Sequence, residues 1–176
     1  MEELDKKSLL EAILFMSGEP VTLSVFKEVT ELPEADIKAA LDSLIADYQG
    51  RNGGISVMEI AGGYQMVTNP DYAQWLRRLK SSTTVFKLSM PALETLAVIA
   101  YNQPIIKAEL EQIRGVSADG VIKTLLDRRL IKILGRKEAP GKPLLYGTTR
   151  EFLQHFGLKD LTELPTLKEL SREEAA

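Results

Sequence analysis

Residues 11–41 read EAILFMSGEPVTLSVFKEVTELPEADIKAAL, and residues 95–125 read TLAVIAYNQPIIKAELEQIRGVSADGVIKTL. Laid over one another without a gap, 84 residues apart, the two stretches match at their apolar positions. Leu14 meets Val98, Phe15 meets Ile99, Pro20 meets Pro104 and Val21 meets Ile105. Phe26 then meets Leu110, Val29 meets Ile113, Ile37 meets Val121 and Leu41 meets Leu125. The polar positions between them mostly differ. A shared apolar pattern on divergent surfaces is what two copies of one small fold leave in a sequence.

Outward from this repeat, each copy reads the same way. Leu9, Leu10, Ile13, Leu14 and Ser17 share a helical stripe over residues 5–17. Thr22 caps a short second helix through Thr30, with Val25, Phe26 and Val29 expected to face inward. Pro33 opens a third helix with Ile37, Leu41, Leu44, Ile45 and Tyr48 on its buried side. Ile55–Ile60 and Tyr64–Thr68, joined by Gly62-Gly63, read as a β-hairpin. Tyr72, Trp75, Leu76 and Leu79 give a closing helix.

In the second copy Ser89 caps a first helix, Gln103-Pro104 stands where Glu19-Pro20 stood, and Gly115 ends the second helix. Ser117 is read as the cap of the third helix. Leu130–Leu134 and Leu144–Thr148 are strands, and Glu151–Phe156 is a last helix ended by Gly157. Three helices and a hairpin make the winged-helix plan, a variant of the helix-turn-helix. The expected fold is therefore mainly α with small β-hairpins, an α+β chain of two tandem winged-helix domains. The expected boundaries are 1–80, a linker at 81–88, a second domain at 89–160 and a tail at 161–176. Domains of about 75 residues bury a modest share of their surface, so docking or self-association would help both.

Composition narrows the function. The chain has 176 residues, 44% of them hydrophobic and 27% charged, as in ordinary globular proteins. Residues 1–80 carry 8 Lys+Arg and 13 Asp+Glu; residues 81–176 carry 14 and 12. The first half is acidic and the second slightly basic. Cysteine is absent, which removes disulfides, thiol nucleophiles and cysteine-ligated zinc. The start, Met-Glu-Glu-Leu-Asp, lacks a signal-peptide pattern, and no apolar run approaches the roughly 20 residues that span a bilayer. A cytoplasmic protein with no membrane contact is expected.

No enzyme is expected, and no cofactor or metal. Gly135 to Lys142 resembles a phosphate loop only briefly: five residues separate Gly135 from Gly141, and Pro143 follows Lys142 where a hydroxyl should hold magnesium. His155 is the sole histidine, with no partner set at catalytic or metal-ligand spacing. A DNA reading has a place only in the second copy. The first third helix carries Glu34, Asp36, Asp42 and Asp47 against Lys38. In contrast, Lys123, Arg128, Arg129, Lys132, Arg136, Lys137 and Lys142 face only Asp127 and Glu138, a balance of +5. These cations are ordinary solvated charges, an acidic partner's contacts, or weak salt-sensitive phosphate contacts. The alternative function is thus a DNA-binding winged-helix regulator using Lys123–Lys142. At Tyr101-Asn102-Gln103-Pro104-Ile105, an aromatic and two amides meet a proline; the corner closes the core or grips a partner segment.

The second half also carries a long ordered string. It runs Ala100-Tyr101-Asn102-Gln103-Pro104-Ile105, then Ile113-Arg114-Gly115-Val116, Gly135-Arg136-Lys137 and Pro140 through Thr149. Phe152-Leu153, Phe156-Gly157-Leu158, Leu161 and Leu164-Pro165 continue it. In this order the string resembles the segregation and condensation protein B family, over about residues 89–165. Leu9 to Phe15 and Tyr64-Gln65 fit too, less tightly. The resemblance implies a non-enzymatic subunit of the bacterial SMC condensin complex, acting in chromosome condensation, segregation and the cell cycle. It implies a homodimer formed through the N-terminal winged-helix domain. It further implies binding of the kleisin, segregation and condensation protein A, by the C-terminal domain, and through it an indirect link to SMC. By the same resemblance Tyr101, Asn102, Gln103, Pro104, Arg114, Arg136 and Tyr146 are candidate kleisin contacts. Lys123, Arg128, Arg129, Lys132, Lys137 and Lys142 are the candidate DNA contacts of the alternative.

Overall fold

The computed structural model describes residues 3–79, 88–166 and 169. All of the expected linker but Leu88, and the tail beyond Thr166 apart from Glu169, lie outside the described residues. The described chain is mainly helical with two small antiparallel sheets, and it clusters into two compact units. Unit 1 holds residues up to Val85 together with Leu158–Asp160; unit 2 holds Phe86–Gly157 and the residues from Leu161.

Unit 1 contains α1 (Glu3–Ser17), α2 (Leu23–Thr30), α3 (Glu34–Arg51), β1 (Ile55–Ile60), β2 (Gly63–Thr68) and α4 (Ala73–Leu79). Thr22 caps α2 by accepting the N–H of Val25, as its position predicts. Its core is Leu10 and Leu14 of α1, Phe26 of α2, Ile37, Ala40, Leu41 and Leu44 of α3, and Val57 and Tyr64 of the hairpin. Burying each large side chain contributes roughly 1.5–3 kcal/mol. β1 and β2 pair from Ile55↔Thr68 to Ile60↔Gly63. Lys6 and Asp36 pair at 2.9 Å, and Lys7 pairs with Asp47, so α1 neutralises part of the acidic face of α3.

Leu158–Asp160 close the hairpin turn of unit 1. The N–H groups of Ala61 and Gly62 donate to the carbonyls of Leu158 and Lys159, at 2.8 and 3.1 Å. Lys159 Nζ pairs with Glu59 at 2.8 Å. This return of distant chain had no counterpart in the sequence reading.

Unit 2 contains α5 (Met90–Asn102), β3 (Ile105–Ile106), α6 (Lys107–Arg114), α7 (Asp119–Asp127), β4 (Ile131–Arg136), β5 (Leu144–Thr148) and α8 (Arg150–Phe156). Ser89 and Thr149 cap α5 and α8, and Gly115 and Gly157 end α6 and α8 in the left-handed region that glycine favours. The sheet order is β3-β5-β4, with β5 in the middle. Thr95, Leu96, Ile99, Leu110, Leu125 and Ile131 are buried at its centre.

The repeat survives in three dimensions, with corrections. Val21 bridges Tyr64, and Ile105 pairs with Tyr146, so the matched residues Val21 and Ile105 each bind a buried tyrosine's strand. Phe26 and Leu110 are both fully buried. Around this centre the register drifts. Buried Leu14 corresponds to Ile99, one residue from the ungapped match, and Phe15 is exposed. On the third helices Ile37, Leu41 and Leu44 repeat the spacing of Ala118, Ile122 and Leu125, three residues from the ungapped match. Val25 and Val29 face outward, contrary to expectation. On a two-turn helix buried through Phe26, they form the adjoining stripe, about 60–100° away. Ser117 does not cap α7; Ala118 stands at that position, and the Ser117 hydroxyl lies 3.4 Å from Asp119.

Candidate docking surfaces

Unit 1 presents an apolar face between α1 and α2. Buried Leu10 and Leu14 use one stripe of α1, which leaves the next stripe to solvent. Ala12, Ile13, Met16 and Ser17 of α1, Val21 and Val25 line an open groove of about 400 Å³. Met16 is 81% exposed and Phe15 73%, and Val29 on α2 is exposed as well. Exposed apolar side chains beside an open groove make this face a candidate docking surface. The helix that carries it is anchored: Tyr48 of α3 donates its hydroxyl to Glu11, and that bond to a carboxylate holds the phenol above its usual range.

In unit 2 the structure separates the seven residues of the candidate kleisin set. Five gather at the C-terminal end of α5. Gln103 lies between α5 and β5: its Oε1 accepts the N–H of Thr148 at 2.7 Å, and its Nε2 donates to the carbonyl of Ala100 at 3.1 Å. Tyr146 is buried opposite Ile105. Tyr101 and Asn102 are exposed, Tyr101 donating to the carbonyl of Pro165 at 2.6 Å and Asn102 to that of Val98 at 2.8 Å. Pro104 is exposed beside them.

Arg114 stands at the other end of α5. Its Nη1 donates to the carbonyl of Pro91 at 3.0 Å and to Thr95 Oγ1 at 3.1 Å, and its Nη2 pairs with Glu94 at 2.8 Å. The Met90, Ile113 and Val116 side chains, close in sequence to this clamp, are exposed. Arg136 sits at the end of β4 and donates to the carbonyl of Lys142 at 3.0 Å.

The basic residues from 123 to 142 divide similarly. Lys123 on α7, Lys132 on β4, and Arg129 and Lys142 in turns are exposed, and Arg128 is half-buried. Lys137 is held by Glu109 at 2.6 Å. That bond, with the Ile106 N–H, keeps the Glu109 carboxyl below the usual carboxylate range. Lys107 does the same for Asp119 at the start of α7, and its own ammonium is held up by Asp119.

The chemistry available is that of contact. Among the described residues no three His, Asp or Glu side chains converge as a metal site. His155 meets Phe156 edge-on at 5.0 Å and lines an open apolar cavity with Leu88, Arg128 and Leu130. Among the described residues no helix is long and apolar enough to cross a membrane. The sequence reading missed β3 and the groove of unit 1. Pairing of Ile105 was signalled by its match to Val21, and the groove by Met16, an apolar residue beside an already complete core stripe.

Comparison with known proteins gives consistent matches. The family described as segregation and condensation complex subunit ScpB matches residues 8–167. A segregation and condensation protein B of Syntrophotalea carbinolica is 45% identical over 171 residues, covering 97% of this chain and 86% of its own. Among solved structures, ScpB from Mycobacterium tuberculosis is 35% identical, with a TM-score of 0.45, covering 90% of this chain and 98% of that one. A dimer of ScpB N-terminal domain complexed with ScpA peptide is 31% identical, with a TM-score of 0.39, covering 42% of this chain and 91% of that one.

Proposed function

The chain belongs to the segregation and condensation complex subunit ScpB family, and from that premise we propose that it is a non-enzymatic scaffold of the bacterial SMC–kleisin condensin. It acts in chromosome condensation and segregation at the nucleoid, built as two winged-helix domains that correspond to units 1 and 2. The observation that carries this reading is the family match from residue 8 to 167, which takes in both units.

Unit 1 pairs two copies of the chain. Its support is the open groove between α1 and α2, with exposed Met16 and Val25 on it, apolar surface that a monomer would leave wet. Unit 2 holds the kleisin, segregation and condensation protein A, and reaches SMC through it. Among the candidate contacts, exposed Tyr101, Asn102 and Pro104 meet the kleisin directly. Gln103, Arg114 and Tyr146 act by setting the shape of that surface from inside unit 2. Arg136 orders the loop between β4 and β5 through Lys142.

Direct DNA contact through Lys123–Lys142 is the weaker reading, because Lys137 is engaged by Glu109 and the apolar Ile133 and Leu134 interrupt the cations. Affinity capture of the purified kleisin on the full chain tests the proposal. Retention in a stable complex is expected. No retention, together with nanomolar sequence-selective binding of duplex DNA at physiological salt, would replace the scaffold with a regulator.

A further inference from the structure

β4 is the edge of the sheet in unit 2: it pairs with β5 on one side and, among the described residues, with no strand on the other. An edge strand turns a row of N–H and C=O groups outward, a template for another strand. Along β4 only Ile131 is buried; Ile133 and Leu134 are each about half exposed, 49% and 48%. A bulge between Ile133 and Gly135 makes Leu134 the extra residue, and Leu134 lies over Gly147. Lys132 and Arg136 flank this aliphatic pair, and Arg129 precedes the strand.

We propose that the free edge of β4 takes an extended peptide segment carrying carboxylates among aliphatic residues, as a fourth strand of this sheet. The inference rests on reading unit 2 as a protein-docking module and names the chemistry of what it grips. Charge selects the occupant. A second copy of β4 would bring Lys132 and Arg136 against their own kind, and like charges across a strand pair are destabilising. An acidic strand brings its carboxylates to the same two cations, and opposite charges across a strand pair are stabilising. Duplex DNA would satisfy Lys132 and Arg136 but would press Ile133 and Leu134 against phosphate and water. A peptide covers them and pairs the outward backbone groups as well.

The test uses the full chain labelled with nitrogen-15 and a synthetic capped peptide of alternating Glu and Val. Binding is expected to shift the amide signals of Lys132–Arg136 and to slow hydrogen exchange of the outward amides among them. Affinity is expected to fall at least tenfold when alternate peptide nitrogens are methylated, which blocks strand pairing and keeps the charge. The same fall is expected for the variant K132E/R136E and for a Lys-Val peptide. No binding at millimolar peptide, shifts confined to other residues, or insensitivity to methylation would each overturn the proposal. So would a 20-base-pair duplex that shifts these amides when the Glu-Val peptide does not. Equal retention of the kleisin by the wild-type chain and by K132E/R136E would remove the edge from kleisin binding and leave the scaffold reading intact.

Discussion

Gln103 and Thr148 hold one another across 45 residues of chain: Gln103 Oε1 accepts the Thr148 N–H at 2.7 Å, and the Thr148 hydroxyl lies 3.0 Å from Gln103 Nε2. This places the end of α5 on the middle strand of the sheet. The fit beside it is close. A methyl group added at Gly147 would lie 2.6 Å from Leu134 Cδ1 and 2.8 Å from Gln103 Oε1. Gln103→Ala leaves the buried Thr148 groups without this partner, so unit 2 is expected to lose about 1–3 kcal/mol. Gly147→Ala is expected to destabilise unit 2 as well, by pushing Gln103 Oε1 off the Thr148 N–H. Urea titration followed on resolved amide signals of each unit checks both, with unit 1 unchanged.

Arg114 supplies a second structural anchor, three hydrogen-bonded contacts from one guanidinium to the first turns of α5. Its side chain is only 11% exposed. Arg114→Ala is expected to lower the stability of unit 2 by about 1.5–3 kcal/mol, the range for hydrogen bonds to charged groups. Arg114→Lys recovers only part, because one ammonium cannot reproduce the planar fork. If Arg114 instead acts by touching a partner, both variants keep the wild-type melting temperature and lose kleisin binding alone.

Acid should loosen the α6–α7 region of unit 2. Lys137 holds Glu109, and Lys107 holds Asp119, below their ordinary values of 4.5 and 3.8. Because the folded pKa is the lower one, the stability these carboxylates contribute is complete above their unfolded range. It is lost as pH falls through the folded values, below about 4.5 for Glu109. Glu109→Gln is therefore expected to flatten the acid limb of a stability–pH curve for unit 2 while leaving its slope near neutral pH unchanged. Both groups are solvent-exposed, and salt is expected to shrink the effect.

Deleting residues 158–176 is expected to speed hydrogen exchange at Ala61 and Gly62, whose N–H groups lose the Leu158 and Lys159 carbonyls. Exchange at the buried core of unit 1, such as Leu41, is expected to stay slow. Equal protection of Ala61 and Gly62 in both chains would show that the return segment does not close the hairpin turn.

Much of this fold was legible because local signals agreed. Thr22 and Ser89 cap where hydroxyl residues precede an apolar period, and Gly115 and Gly157 end helices in the left-handed region. What failed needed tertiary information. On α2, three apolar residues compete for a core that admits only Phe26, so Val25 and Val29 are left outside. Two residues of β3 are too few to show a period of their own. Lys159 meets Glu59 through chain return, which no local pattern encodes. The site was less legible still. The string from Tyr101 to Tyr146 marks the family, and side-chain placement is what divides it into exposed Tyr101 and Asn102 and inward Gln103, Arg114 and Tyr146.

Self-association is expected to depend on the face between α1 and α2. Met16→Asp places a charge on the rim of the groove at a position 81% exposed in the single chain, so folding should be retained. A dissociation constant at least tenfold weaker in sedimentation equilibrium is expected. Unchanged association would move the dimer face elsewhere.

The central claim is a dimeric, kleisin-holding scaffold, and light scattering coupled to size-exclusion chromatography on the full chain, alone and mixed with the purified kleisin, tests it most directly. The expected masses are those of a dimer of the 19.6 kDa chain and of a larger complex containing both proteins. A monomer at micromolar concentration that elutes apart from the kleisin would contradict it.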